Sequence, residues 1–391
     1  MAEKNEHGTV FDYLRWRGDL TFAQDGFNEV DNLILCIICY LNFHRFDELR
    51  SKDPNNAVKI GDISRRMTEK DEQLGLSWLE YIPLMEQAAK TKRFEDVALF
   101  GFEDEHDEDK EMQFQALSFL LPDDSVFVSY MGTDTSLVGW KENFNMSFLE
   151  AVPAQERAVA YAEEIARACS KRMLRIGGHS KGGNLAAWAA IHLAPEIRDG
   201  QLTAVYNNDG PGFCSGVLDT EAYQAVASRL QTYIPESSIV GVLLEHAEDY
   251  EVIDSTNRAV LQHEPLSWSV EANHFVHLGQ RSQLGQLSDG VLQEWVGSMT
   301  AQERQEFTDA LFTIFSADNK IRTLDDLRTG GLASRAALLR SYIGADEKKK
   351  KIINEIFHRL AVDVREELRK ATEEELKNAK ETIAGWHKQE K

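Results

Sequence analysis

Ser180 stands between Gly178 and Gly182 in the run RIGGHSKGGNLAAWAAIHLA, Arg175 to Ala194. A serine hydroxyl is a poor nucleophile at neutral pH. It becomes a good one when a base takes its proton and nearby N–H groups stabilise the charge developing on the attacked carbonyl. Here the glycine-flanked serine follows a short apolar run and precedes an alanine-rich helical pattern. That layout fits a sharp strand-to-helix turn, from which an acyl-transfer serine is presented. The same letters also fit a tight turn whose serine caps the helix beginning near Lys181. To choose between these readings, the rest of the chain must supply a histidine, a carboxylate and elements that carry them to one place.

Around the serine the chain alternates in period. PAQERAVAYAEEIARACS has proline and polar residues early and alanine throughout, which predicts a helix, and it feeds the short strand MLRIG that ends at the turn. After the serine helix, LTAVYNNDG reads as a strand stopping at Asn207-Asn208-Asp209-Gly210. Upstream, FQALSFLLPDDSVFVSYMG predicts two strands, Phe114 to Leu120 and Val126 to Tyr130, joined at Pro122-Asp123-Asp124. Downstream, LQTYIPESSIVG suggests another strand, and YEVIDSTNRAVLQHEP a hairpin turning near Ser255 to Asn257, with His263 just past it. Strands separated by helices predict an α/β fold with a mostly parallel sheet and helices on both faces.

The flanks read as helix. NEVDNLILCIICYLNF, with Asn28 and Asp31 as candidate caps, and SWLEYIPLMEQAAKT form an N-terminal cover. From about Ser298 a helical extension follows, in which Ile352, Ile353, Ile356, Phe357, Leu360, Val364 and Leu368 share one stripe. That stripe suits packing on a core or on a partner helix, including one from a second copy of the chain. The expected division is therefore a helical cover over 1–110, an α/β core over 111–297 and a helical region over 298–391. The acidic run EDEHDEDKE, Glu103 to Glu111, is expected as an exposed loop, and a metal held there by His106 and carboxylates is the weaker reading.

Composition narrows the partners. With 43 basic against 65 acidic residues the net charge is −22, and no basic stripe offsets phosphate repulsion, so nucleic acid is not an expected partner. The start, MAEKNEHGTVFDYLRW, lacks a secretory layout, and the longest apolar run, Leu33 to Leu41, falls short of the ~20 residues of a membrane span. A cytoplasmic protein is expected. Cys36 and Cys39 have C-x-x-C spacing but sit in an apolar helical run; they and the lone Cys169 and Cys214 are read as reduced thiols, with no metal and no cofactor.

Several stretches together resemble a bacterial family. FDYLRWRGDLTF, FVSYMGTDTSLVGWKENFNMSF, the serine turn, VYNNDGPGF, SSIVGVLLEH and QHEPLSW are similar to the Mbeg1-like family, over roughly Phe11 to Leu327. That resemblance implies an α/β-hydrolase-like fold. A more distant similarity is to the class 3 lipases, in which a strand ending in an aromatic-basic-glycine-hydroxyl motif delivers an oxyanion-hole residue. SYMGTDTSLVGW resembles that segment, with Met131 where the basic residue is usual and Thr133 at the oxyanion position. The backbone N–H groups of Thr133 and Lys181 would then form the oxyanion hole.

The base and the acid follow from chain order and from this resemblance. Of eleven histidines, His179 adjoins the serine and is expected to turn its side chain away from it. His263 lies downstream, as the serine, acid, histidine order of the fold requires, and in the part matching the lipase histidine loop. His246, His274 and His277 are the alternatives. In class 3 lipases an aspartate precedes an Ile-Val-Pro-like stretch, whereas PESSIVG offers Ser238 there. Asp209 is the preferred substitute, because it ends the strand expected beside the nucleophile strand and lies on the same carboxyl edge. Glu245, Asp249 and Asp254 stay open, as does a turn-forming role for Asp209 in NNDGPG.

Two functions fit this set. One is a serine hydrolase that cleaves an ester or related acyl bond of a small-molecule or lipid-like substrate, through an acyl-enzyme on Ser180 with His263 and Asp209. Trp140, Phe144, Trp188 and Phe213 are its candidate acyl-pocket residues. The other is a catalytically silent hydrolase fold that binds a partner, with the serine turn as scaffold.

Overall fold

The computed structural model describes residues 7–68, 81–134, 136–282, 298–315 and 339–359, together with residues 285, 286, 291, 295 and 362. The N-terminal cover contains α1 (Val10–Trp16), α2 (Glu29–Ile38), α3 (Ile60–Ser64) and α4 (Tyr81–Ala88). Asn28 starts α2: its side-chain oxygen accepts from the N–H groups of Val30 (3.0 Å) and Asp31 (3.1 Å), while the Asp31 carboxylate accepts from the Asn28 N–H (3.0 Å). Such a reciprocal cap satisfies donors a helix start leaves free. Asp31 also pairs with Arg93, both side chains fully buried, and the Arg93 guanidinium donates to the carbonyls of Leu20, Asp25 and Gly26. One ion pair thus fastens α2 to the loop before it. Cys36 and Cys39 lie within this layer as free, buried thiols, and burial pushes Cys39 up to about 12.

The cover lies on one face of a nine-stranded sheet. Its strands are β1 (Val58–Lys59), β2 (Ala98–Asp107), β3 (Met112–Leu120), β4 (Ser125–Tyr130), β5 (Met173–His179), β6 (Leu202–Asn208), β7 (Leu230–Pro235), β8 (Tyr250–Ile253) and, after a two-stranded ribbon of β9 (Val270–Glu271) and β10 (His274–Phe275), β11 (His277–Leu278). The order is β1-β2-β3-β4-β5-β6-β7-β8-β11. From β4 to β8 every neighbour is parallel, and the strands outside that block pair antiparallel. Between β4 and β5 run α5 (Leu137–Asn145) and α6 (Pro153–Ala168), and α7 (Lys181–His192) joins β5 to β6. Side chains alternate across the sheet as a strand requires: Phe127 of β4 packs into the cover, while Val126, Val128 and Tyr130 pack against α6 and α7. The architecture is α/β-hydrolase-like, a central sheet flanked by helices on both faces. Among the described residues no helix is long and apolar enough to cross a membrane.

Two segments differ from expectation. The acidic run is not a loop: residues 103–107 continue β2, and 108–111 make the turn into β3. Its charges are met by distant partners, Glu103 by Lys52 and Arg157, Asp104 by His44, and this lets a charged stretch sit in a sheet. Past β8 the chain does not return as a hairpin; Ala259–His263 form a 3₁₀ turn, and the antiparallel neighbour of β8 is β11. Gln262 causes the turn, its side chain accepting from the Ser237 N–H (2.7 Å) and its carbonyl from the Trp268 indole (3.0 Å).

At the other end of the chain, the helix Ala301–Phe315 and the helical residues 347–359 pack together, with Ile353 and Ile356 against Phe307, Ala310 and Ile314. Phe357 is 48% exposed, and Leu360, Val364 and Leu368 of the predicted stripe lie outside the described residues. This layer meets α5 through Phe312 on Phe144 (ring centroids 5.7 Å) and Asp309 on Lys141 (3.0 Å).

Candidate functional site

The parallel strands β4, β5 and β6 end together, and the sequence-predicted residues stand at those ends. Between β5 and α7, Ser180 has φ 59 and ψ −134, a conformation an L-residue adopts only when its surroundings enforce it. They do so closely. Its N–H donates to the Asn208 carbonyl (3.0 Å), and its carbonyl accepts from Gly183 (2.8 Å). A Cβ on Gly178 would lie 2.1 Å from the Gly182 carbonyl oxygen, and one on Gly182 would lie 2.1 Å from that of Tyr130, so the turn closes only with glycine at both positions. The G-x-S-x-G spacing is therefore a packing requirement of this strand–helix crossing.

Asp209 follows the last residue of β6 at φ 54, with its side chain fully buried. Three donors converge on the carboxylate: His263 Nδ1 at 2.6 Å and Ser238 Oγ at 2.5 Å on Oδ2, and the Gly241 N–H at 3.1 Å on Oδ1. Because a carboxylate only accepts, Nδ1 of His263 carries the proton and the lone pair of the neutral ring is on Nε2. The His263 side chain is 25% exposed. The Ser238 hydroxyl thus supports the carboxylate that comes from β6. The candidate alternatives lie elsewhere: Glu245 and Asp249 are exposed, and Asp254 accepts from Ser269 (2.6 Å). His246 pairs with Glu248 (3.1 Å), His277 with Glu29 (2.9 Å), and His274 Nδ1 meets the Phe275 carbonyl (2.7 Å).

His179 does turn away from the serine, and it makes contacts no sequence signal indicated. Its ring packs on that of His263, centroids 4.6 Å apart, and Nε2 donates to the His263 carbonyl at 2.9 Å. Nδ1 is then an acceptor, 3.0 Å from the Tyr40 hydroxyl, which also reaches the His179 carbonyl (3.1 Å) and takes a hydrogen bond from the Gly132 N–H. Burial, and next the neighbouring His263, hold the His179 pKa well below the usual imidazole range. Tyr40, just past α2, thus ties the β4 loop to the serine turn, and His179 ties that turn to the histidine loop. Ser180 Oγ itself forms no hydrogen bond among the described residues, so His263 meets Asp209 but not the serine hydroxyl in this structure.

Thr133 and Lys181 lie on either side of the turn. A Cβ on Gly132 would be 2.9 Å from Ser180 Cβ, which sets the β4 loop directly against the serine. Among the described residues, no group accepts from the backbone N–H of Thr133 or of Lys181. The Lys181 side chain is buried in an ion pair with Glu142 (2.8 Å). Asp134, next to Thr133, holds His106 of the acidic strand (2.7 Å); the hydrogen bonds that His106 donates to Asp104 and Asp134 raise it to about 10. Trp188 and Phe213 line a cavity of about 360 Å³ that runs beside α7 from Asn184 to His192, together with Met146, Leu149 and Val217. Trp140 is 38% exposed and Phe144 faces Phe312, and neither lines this cavity.

Residues 88–313 match the family model described as Mbeg1-like. The chain belongs to the Mbeg1-like family. The matched stretch takes in Ser180, Asp209 and His263 and leaves out Tyr40 and the cover up to Gln87 in α4. Among solved structures, the Mbeg1-like chain is similar to the native Rhizomucor miehei lipase propeptide complex, at 15% identity and a TM-score of 0.34, over 44% of this chain and 70% of that one. It is similar also to a deletion mutant of that complex, at 15% identity and a TM-score of 0.35, over 47% and 70%. No curated protein matches this Mbeg1-like chain.

Proposed function

We propose that this Mbeg1-like protein is a serine hydrolase that cleaves an ester or related acyl bond through an acyl-enzyme on Ser180. The observation that carries the reading is the pair of buried Asp209 and partly exposed His263, 2.6 Å apart, at the same sheet edge as a serine in a strained turn. With Nδ1–H held by Asp209, His263 Nε2 takes the Ser180 proton as Oγ attacks the carbonyl carbon. The carbonyl oxygen becomes an oxyanion, met by the N–H groups of Thr133 and Lys181. Collapse expels the leaving group, which takes the proton from Nε2. A water then attacks the acyl-serine through the same base, releasing the acid and restoring Ser180. Closing the Ser180–His263 hydrogen bond is a movement that substrate binding must bring about, and such contacts are often loose without ligand. The free thiols are in keeping with a reducing, cytoplasmic setting.

The test is turnover of p-nitrophenyl esters by the wild type, Ser180→Ala and His263→Ala, with folding followed by circular dichroism. The reading expects turnover in the wild type and its loss in both folded variants. A catalytically silent fold would give equal background rates in all three.

A further inference from the structure

Two consecutive residues of α5 reach the two sides of the serine turn. Glu142 and Lys181 have fully buried side chains, and Glu142 Oε2 lies 2.8 Å from Lys181 Nζ. That ammonium also donates to the Gln113 carbonyl (2.6 Å) and to Gln113 Oε1 (2.8 Å), so all three of its protons are used. The Glu142 carboxylate takes two further hydrogen bonds, from the backbone N–H of Gln113 (3.2 Å) and of Ala154 (3.0 Å). Asn143, the next residue, donates from Nδ2 to Thr133 Oγ1 at 2.5 Å. Lys181 directly follows Ser180, and Thr133 follows the glycine packed on the Ser180 Cβ.

We propose that Glu142 and Asn143 are positioning residues that hold the two halves of the oxyanion hole, Lys181 and Thr133, at a fixed separation across the serine. The proposal rests on the serine hydrolase reading. A buried ion pair is a poor device for stability, since apolar residues of the same volume often serve as well or better. Its value here is directional. Three fixed hydrogen bonds on Nζ anchor the first residue of α7 to β3 and α5, and Glu142 joins that anchor to the start of α6. The same helix turns Asn143 onto Thr133, so a shift of α5 would move both donors together. Misplacing a catalytic group by about 1 Å can lower a rate by roughly 100-fold.

The test compares Glu142→Gln/Lys181→Met, Asn143→Ala and Glu111→Gln. The double variant removes both charges and leaves no buried ammonium unpaired, which Glu142→Gln alone would do. Glu111 is the control: it binds Lys141 (2.6 Å) and Asn145 (2.8 Å) of α5 but none of Glu142, Asn143, Lys181 and Thr133, and without it α5 stays held by Lys141 on Asp309 and Phe144 on Phe312, so its loss removes polar contacts of the same helix and leaves the helix in place. For each, kcat and KM on p-nitrophenyl butyrate are measured per folded molecule, with the rate of Ser180 labelling by a fluorophosphonate. The expected result is a kcat about 10- to 100-fold lower in the first two, with KM within about twofold, and a wild-type kcat in Glu111→Gln. Should the double variant not fold, Asn143→Ala decides. Wild-type kcat in the folded variants overturns the positioning role and leaves the hydrolase reading standing; a wild type with neither turnover nor labelling removes both.

Discussion

Replacing Asp209 by asparagine changes one oxygen to an NH₂ group and leaves the volume unchanged. Three donors now face the carboxylate: His263 Nδ1 at 2.6 Å, Ser238 Oγ at 2.5 Å and the Gly241 N–H at 3.1 Å. If the amide oxygen keeps the Gly241 N–H, the NH₂ group faces His263 Nδ1, which must then give up its proton and accept. The neutral ring carries its proton on Nε2 instead, where the base should be, and Ser180 loses its proton acceptor. The precedent for such a wrong tautomer is a fall of about 10⁴ in kcat, which at about 1.36 kcal/mol per decade is roughly 5.4 kcal/mol of transition-state stabilisation. The folding cost is smaller, about 1.5–3 kcal/mol for weakening a hydrogen bond to a charged group. The assay pairs ester turnover per folded molecule with a urea titration for Asp209→Asn, beside Glu245→Gln, Asp249→Asn and Asp254→Asn. A stability loss with most of the rate per folded molecule retained would refute the argument and make Asp209 a turn residue. A large loss confined to one of the other three would move the acid there.

Other expectations follow from single contacts. Ser180→Gly relieves the φ 59 strain, worth about 1–3 kcal/mol, against roughly 0.5–1 kcal/mol of added chain entropy, so a urea titration should show a protein as stable as the wild type or up to about 2.5 kcal/mol more so. His179 gives a pH dependence. Its folded pKa lies below the unfolded value near 6.5, so the stability it contributes is complete above about pH 6.5 and is lost as pH falls toward the folded value; His179→Gln should flatten the melting temperature between pH 4.5 and 6.5. Arg93→Met leaves Asp31 buried and unpaired, and urea unfolding should show a loss of about 3–5 kcal/mol.

How far the site could be read from the sequence follows the range of its contacts. The serine turn was legible because its constraints are local: an apolar strand, glycines at fixed offsets where backbones touch, and an alanine-rich helix. Asp209 was legible as the end of a strand, and His263 by chain order and resemblance. Tyr40 was not, since its contact with His179 spans 139 residues and leaves no periodic trace. Ser238 is no acid, and nothing local in PESSIVG signals that its hydroxyl meets Asp209, 29 residues away. The acidic stretch reads as an exposed loop because its sequence does not show the distant Lys52, Arg157 and His44 that meet its charges. The stretch after β8 reads as a hairpin for a related reason: nothing local marks Gln262, whose side chain accepts from the distant Ser237 N–H and holds a 3₁₀ turn in place of a return strand.

The central claim, that Ser180 is an activated nucleophile, is tested most directly by treating the folded protein with a fluorophosphonate and mapping the adduct by mass spectrometry. The account predicts one adduct, on the peptide carrying Ser180, absent from Ser180→Ala and strongly slowed in His263→Ala. A folded wild type that takes up no adduct, or takes it up at another residue, would contradict it.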